Sequence, residues 1–419
     1  MPPPAKPGPQ PGALADLRVI DLTQMLAGPF CTQLLADQGA QVLKVEPLAG
    51  DGIRSAGPFR HDDGLRAFGG YFQSVNRNKS SIALDLKHAD GRALLEQLID
   101  GADVVVENFR TGVMDRLGLS WETLRARNPA LVYATIRGFG DPRSGASPYA
   151  HWPAYDVVAQ AMGGIMGITG AVGGDPTKIG PGIGDIVPGL MLGIGILAAV
   201  HHARRTGQGQ FVDVAMADGV LALCERIVYQ QSYEDRTPGP QGNRHPLLCP
   251  FGLFPARDGW VSIACPDEKL WARLAAAIDR PEMAHDPRYA TNPARVQHAA
   301  AVIGAVEAFT RARTKAELAA LLGGIVPFGP VYTAQDIFDD PHFAQRDMLV
   351  EVEHPGCPTP VRIAGVPIKL GTTPGGVHRR APLLGEHTEE VLRALGVGQD
   401  RIHRLLAEGV IAQETPCTH

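Results

Sequence analysis

One carboxylate stands apart in this sequence. Residues 178–205, KIGPGIGDIVPGLMLGIGILAAVHHARR, hold a single acid, Asp185, between glycines and an apolar run. The run 186–200 is long enough for a buried helix but short of the ~20 residues a bilayer needs. Pro188 falls where a first helical turn tolerates it. Gly189, Gly193, Gly195, Ala198 and Ala199 leave room for other backbones to approach closely, at a cost in helix propensity. Asp185 is therefore expected at a helix N-terminus, where free amides and the dipole keep a carboxylate ionised. Two readings follow. Asp185 is an N-cap and nothing more, or it is a charged group open to substrate on one side and able to act as a nucleophile.

The elements around it must decide. Residues 17–21 read as a short apolar strand, 29–38 as a helix closed by Gly39, and 41–46 as a second strand, a β-α-β opening. The turn LTQMLAGP after the first strand has one glycine and lacks G-x-G-x-x-G, which counts against a dinucleotide cofactor. Residues 51–70 read as an irregular loop and 76–87 as a strand with basic ends. A helix over 89–100 then leads into a buried strand over 102–109. Its polar end, Glu107, Asn108 and Arg110, falls at the carboxyl edge of a sheet, where open α/β folds bind ligands. A strand over 131–136, a helix running into a flexible glycine turn over 154–170, the Asp185 helix, a strand over 211–216 and a helix to about 231 complete the first part.

Composition narrows the class. The chain has 419 residues with 39 Lys plus Arg against 44 Asp plus Glu, a net charge of −5, which offers no basic field for nucleic acid. It is 44% hydrophobic and 20% charged, as ordinary soluble proteins are. The cysteines (Cys31, Cys224, Cys249, Cys265, Cys357, Cys417) show no C-x-x-C spacing, so reduced thiols in a cytoplasm are expected rather than a disulfide framework. His201 and His202 are adjacent and no H-E-x-x-H occurs, so no metal is expected. The expected organisation is a disordered Pro-rich leader (1–14), a large domain (15–231), a linker (232–250), a small domain (251–335) and a C-terminal part (336–419) returning to the large domain. No membrane partner is expected.

Several blocks together resemble the family III CoA-transferases (CaiB/BaiF type), the group of formyl-CoA transferase and, as a branch, the α-methylacyl-CoA racemases. They are VIDLTQMLAGPFCTQLLADQGAQVLKVEP, NRNKSSIALDLK, VENFRTGVMDRLGLSWETL, YDVVAQAMGGIMGITG, GDIVPGLMLGIGILAAVHHARRTGQGQFVDVAM and APLLGEHTEEVL, spread over nearly the whole chain. The resemblance implies an α/β fold with a Rossmann-like large domain, a smaller α+β domain and an interlocked homodimer. It implies acyl-CoA and small carboxylic acids as substrates, with no tightly bound cofactor. The donor it points to is succinyl-CoA or another short dicarboxyl-CoA.

In the family's transferases the Asp of the G-D-x-x-x-G block is the nucleophile, and that block here begins at Gly184-Asp185. Its carboxylate would form an anhydride with the acyl group and then a thioester with CoA. The resemblance assigns CoA contacts to Met25, Leu26, Ala27, Leu84, Lys87, Asn108, Phe109, Arg110, Arg116 and Met216, and an acyl pocket to Tyr155 and Asp156. Lys87 and Arg116 suit phosphates. Leu26 and Pro47 stand where formyl-CoA transferase has Gln and Arg, and residues 242–255 lack its glycine run. Formate and oxalate are thus not the expected acids. The racemases have His-Asp where this chain has Tyr155-Asp156, and a tyrosine is a poor proton acceptor at neutral pH. Racemisation on the same fold is the alternative that this substitution disfavours. Arg244 and His245 are candidates to meet a distal carboxylate.

Overall fold

A computed structural model describes residues 12–415. The expected leader lies outside the described residues over 1–11, as does Cys417. Leu14, at its end, already donates from its amide to Gln38 O at 3.0 Å, so order begins before residue 15. The described chain forms two compact units: residues 12–165, 178–234 and 342–415 in the first, and 166–177 and 235–341 in the second.

The first unit is built on a seven-stranded sheet. Strands β1 (Arg18–Asp21), β2 (Gln41–Glu46), β3 (Ser80–Leu84), β4 (Val104–Glu107), β5 (Val132–Arg137) and β6 (Phe211–Ala215) run parallel in the order β3-β2-β1-β4-β5-β6. That is the doubly wound order of dinucleotide-binding sheets, with its switch point between β1 and β4. The central strands β4 (VVVE) and β5 (VYATIR) are buried along their whole length, which suits their β-branched runs and the helices on both faces. At the end of the chain Ile411–Ala412 adds antiparallel to β3, pairing Ile411 with Leu84. The fold is thus mixed α/β with a large parallel sheet.

The helices that matter for the site are α1 (Ala27–Asp37), α2 (Gly70–Asn76), α3 (Ala89–Asp100), α4 (Asp156–Met162) and α5 (Ile183–Thr206). The α5 helix is longer than the apolar run alone implied. By length and composition it could cross a membrane. Here it packs instead on α1, α4, β5 and β6 within the first unit. Gly207 stops it in the left-handed region (φ 73°), its amide donating to Ala203 O at 2.7 Å.

The glycines in α5 act as the spacing implied. A Cβ on Gly189 would stand 2.7 Å from Ala27 O, a backbone atom that cannot swing away. Helix propensity alone would make Gly189→Ala stabilising by about 1 kcal/mol, and a backbone clash of this size costs about 1–3 kcal/mol. The clash wins, so Gly189→Ala is expected to lower the denaturant midpoint of unfolding.

Local order departs from the sequence reading in one place and follows it in another. Residues 51–70 are not a uniform loop, because Gly52–Ser55 forms a short 3₁₀ turn capped by Asp51 and α2 follows. The helix expected within 154–170 ends at Met162 and runs into the expected glycine turn, where Gly164 takes φ 95°.

The second unit has its own sheet, Phe251–Ala256 with Gly259–Ala264 and Phe328–Pro330, all antiparallel. Trp271, Leu274, Val302, Val306, Leu318 and Leu322 form its core. The segment expected to be a linker is hydrogen-bonded into this unit: the Gly242 amide donates to Gly170 O at 2.9 Å and Leu253 to Asn243 O at 3.0 Å. Residues 166–177 join it as well, which no pattern in the sequence indicated.

Candidate active site

The site is built over a buried ionic floor at the carboxyl ends of β1 and β2. Asp21 ends β1 fully buried, accepting from the Thr23 amide (2.9 Å), the Thr32 hydroxyl (2.6 Å) and Lys79 Nζ (3.0 Å). Burial alone would raise this carboxyl. The Lys79 and Lys44 charges and the two threonine hydroxyls instead hold it down at about 2. Lys44 Nζ reaches Thr23 O (2.8 Å) and Asp51 Oδ2 (3.0 Å), while Asp51 Oδ1 accepts from the Met25 amide at 3.2 Å. These bonds pin the 23–27 turn from below. They hold Met25 in the left-handed region (φ 69°), an uncommon place for a residue of its kind.

The turn after β1 and the turn after β4 are fastened to each other. Asn108 accepts from the Gln24 amide at 2.9 Å and donates to Gln24 O at 2.7 Å. Met25, Leu26, Ala27, Asn108 and Phe109 therefore line the two sides of the switch point. Lys87, Arg110 and Arg116 are exposed on the carboxyl-edge side, and among the described residues none of their side chains has a hydrogen-bond or ion-pair partner. Three idle cations are what a polyphosphate ligand needs.

Two assigned contacts lie deeper than the resemblance implied. Leu84 is fully buried in the core with Leu94 and Ile82, so its side chain offers a ligand no surface. Met216, at 6% exposure, is covered too. Both serve packing in this structure.

Asp185 lies in the first turn of α5, not at its cap, which is Gly182. The capping work is done from another helix. Asp156, first residue of α4, accepts from the Gly184 amide through Oδ1 at 2.8 Å. Gln160 Nε2 holds the same carboxylate at 2.9 and 3.0 Å, and Lys178 Nζ lies 3.4 Å from its Oδ2. No donor among the described residues meets the Asp185 carboxylate. Burial pushes that carboxyl up to about 7, and the neighbouring Asp156 charge pushes it the same way. The sequence reading expected the helix N-terminus to keep it ionised. Desolvation and a like charge work against that expectation here.

Leu26 packs against the start of the helix that carries this carboxylate. A Cβ on Gly182 would lie 2.8 Å from Leu26 Cδ2, so the β1 turn sits directly against the start of α5. Tyr155 is 62% exposed beside it, which leaves its ring available to a ligand rather than committed to the core. Tyr71, on α2, was not singled out from sequence because its helix was not foreseen. Its hydroxyl is raised by burial and then by Asp185, Asp156 and Asp51, so it stands within electrostatic reach of all three. Arg244 and His245 are in the second unit. Arg244 is already paired with Glu307 (2.8 Å) over the Phe254 ring (4.3 Å), and His245 Nδ1 accepts from the Leu247 amide at 3.1 Å. Arg244 is thus not an idle cation.

A model of CoA-transferase family III matches residues 14–388. The chain belongs to CoA-transferase family III. It is 50% identical over 390 residues to a succinyl-CoA:mesaconate CoA-transferase of Haloarcula hispanica, covering 92% of this chain and 97% of that one. A succinyl-CoA–D-citramalate CoA-transferase of Chloroflexus aurantiacus is 38% identical, with 96% and 98% covered. The crystal structure of a CaiB/BaiF family protein from Brucella suis superposes with a TM-score of 0.82 at 37% identity, covering 92% of this chain and all of that one. The protein is therefore a CoA-transferase, an enzyme acting on CoA thioesters and carboxylic acids. Several relatives in this range carry succinyl-CoA in their names, as the sequence reading expected of the donor.

Proposed function

We propose that this transferase moves CoA from succinyl-CoA to mesaconate or a closely similar C5 dicarboxylic acid, through covalent intermediates on Asp185. The observation that carries the mechanism is the Asp185 carboxylate itself: half-buried, free of donors among the described residues, and carried by a helix start that meets the β1 turn. The substrate pair rests on the relatives of about half identity over nearly full length.

The chemistry runs as two exchanges. The ionised carboxylate attacks the thioester carbonyl, the C–S bond breaks, and a mixed anhydride and CoA thiolate result. The thiolate attacks the aspartyl carbonyl, expelling succinate and leaving an aspartyl-CoA thioester. The acceptor carboxylate attacks that carbonyl and releases the thiolate again, which takes the new acyl group and frees Asp185. Each adduct stays as activated as the thioester it replaces, so no step is steeply downhill. A carboxylate without hydrogen bonds suits this role, since donors would hold back its lone pairs.

Lys87, Arg110 and Arg116 are read as holding the phosphates of CoA, Met25 and Ala27 as lying along its thiol arm, and Tyr155 as bordering the acyl group. Replacing any one of the three cations by Ala is expected to raise the KM for acyl-CoA several-fold, leave kcat near its starting value, and lose much of its effect at high salt. Steady-state kinetics at two ionic strengths checks this.

Racemisation gains nothing from the geometry. It needs a base on each side of an α-carbon, and Asp156 is fully engaged by Gly184, Gln160 and Lys178. A panel of acyl-CoA donors against free acids, followed by chromatography, tests the proposal. Succinyl transfer to mesaconate supports it, and deuterium wash-in at an α-carbon without acid exchange would overturn it.

The chain is also proposed to work as a homodimer in a reducing cytoplasm. Leu190, Ile194 and Leu197 form one row on α5, 42%, 70% and 41% exposed, and their spacing places them on one face for a partner to cover. The described cysteines are all free thiols. Light scattering on the wild type and on Ile194→Glu should give a dimer and a loss of dimer respectively.

A further inference from the structure

Outside the Asp185 site, three side chains far apart in sequence come together in the first unit. Asp63, His354 and Cys357 present a carboxylate oxygen, a ring nitrogen and a thiol sulfur that all lie within 4.8 Å of one another. His354 is 8% exposed and Asp63 6%. Their polar atoms are not fully used. Asp63 Oδ1 accepts from the Leu65 (3.0 Å) and Arg66 (2.8 Å) amides, but Oδ2 has no hydrogen-bond partner, and neither does His354 Nδ1. His354 Nε2 lies 3.4 Å from Asp63 Oδ2, longer than a good charge-assisted bond. A buried carboxylate oxygen and a buried ring nitrogen left without hydrogen bonds are costly unless something binds there.

The backbone holds this cluster ready. Gly356 takes φ 90°, and its carbonyl accepts from the Gly64 amide at 2.9 Å. A Cβ there would strike Asp63 Oδ1 at 2.4 Å, so only glycine lets the two loops close. The Cys357 amide donates to His354 O at 3.0 Å, turning the H-x-x-C segment so that both side chains face one point. Phe68 packs edge-on against the His354 ring at 4.9 Å. A cavity of about 690 Å³, lined by Gly64, Leu65, His354, Gly356 and Cys357, opens beside the cluster and gives a cation a way in. Arg60 lies nearby but is neutralised by Asp62 at 2.6 Å.

We propose that Asp63, His354 and Cys357 form a binding site for a divalent transition-metal cation of the zinc class, which clasps the 60–66 loop to the 354–357 turn. One carboxylate and one thiolate balance the dication, and the imidazole is neutral. Sulfur, nitrogen and carboxylate oxygen are zinc's usual donors, and three protein ligands leave a fourth position towards the cavity. Binding releases the thiol proton to solvent. Sequence spacing could not show the site, since Asp63 sits in a different block from the H-x-x-C pair.

The test uses the full chain, stripped with a chelator and titrated with Zn²⁺, and with Co²⁺ as an optical probe. One equivalent should bind, with a thiolate-to-cobalt charge-transfer band. Zn²⁺ should protect Cys357 from iodoacetamide, read peptide by peptide in the mass spectrum. Cys357→Ser, a single-atom change, and Asp63→Asn should each weaken binding by roughly 100-fold or more, while Asp185→Asn keeps the equivalent. Labelling of Cys357 that Zn²⁺ leaves unchanged would overturn the proposal, and that arm needs no variant to fold. So would a Cys357→Ser protein that binds Zn²⁺ with undiminished affinity.

Discussion

Asp185→Ala is expected to lose at least ~10⁴-fold in kcat while binding acyl-CoA within a few-fold of the wild type. The split follows from geometry. The idle cations and the clasped turns at the switch point stay in place when the carboxylate goes, whereas no neighbouring acid among the described residues is free to take its role. Asp156 is the nearest acid, and its oxygens are occupied by Gly184, Gln160 and Lys178. Hydroxylamine added during turnover should trap the Asp185 side chain as a hydroxamate, seen as a mass shift on its peptide. A turning-over enzyme whose Asp185 stays unmodified would sink the covalent route.

The second large effect is on pH. With its carboxyl raised to about 7, Asp185 is the active carboxylate only above that value. The kcat/KM for acyl-CoA is expected to fall about tenfold per unit below pH 7 and to level off above it. Asp156→Asn keeps an oxygen for the Gly184 amide but removes a negative charge, so the midpoint should move down. It should not reach the ordinary value of 3.8, because burial is the larger cause. A profile flat from pH 5 to 9 would contradict this.

The same shift has a sign for stability. A carboxyl whose folded pKa is raised stabilises the fold fully below the unfolded value and loses that contribution as pH climbs to about 7. Above pH 7 the buried charge costs up to about 4 kcal/mol. Asp185→Asn should therefore match the wild type near pH 4 and unfold at higher denaturant near pH 8. The reactive group is kept at the expense of the fold.

Much of this was legible in the residues. The β-α-β opening, the parallel strands, the single acid at the head of an apolar helix and the glycines that admit α1 all follow from local pattern. What stayed hidden was non-local. The sequence could not say that Asp156 caps α5, because capping is ordinarily read within one helix. Nor could it say how far burial, and then the Asp156 charge, raise the Asp185 carboxyl. Leu84 sits in a block that resembles a binding motif, yet its side chain is in the core, since motif positions do not tell which face of a strand is covered. Tyr71 was missed because α2 is short and opens on paired glycines. The second unit's claim on 166–177 was invisible for the same reason as the Asp63 cluster: contacts between distant segments leave no period.

The strand Ile411–Ala412, which finishes the large sheet at its β3 edge, has a consequence for the order of synthesis. Every residue of the second unit is made before residue 342, while the first unit lacks its border strand until some seventy residues later. Nascent chains thus emerge with the inserted unit able to finish before its host, the reverse of the usual N-to-C order. Until then the β3 edge is an open template for pairing with another ribosome's product.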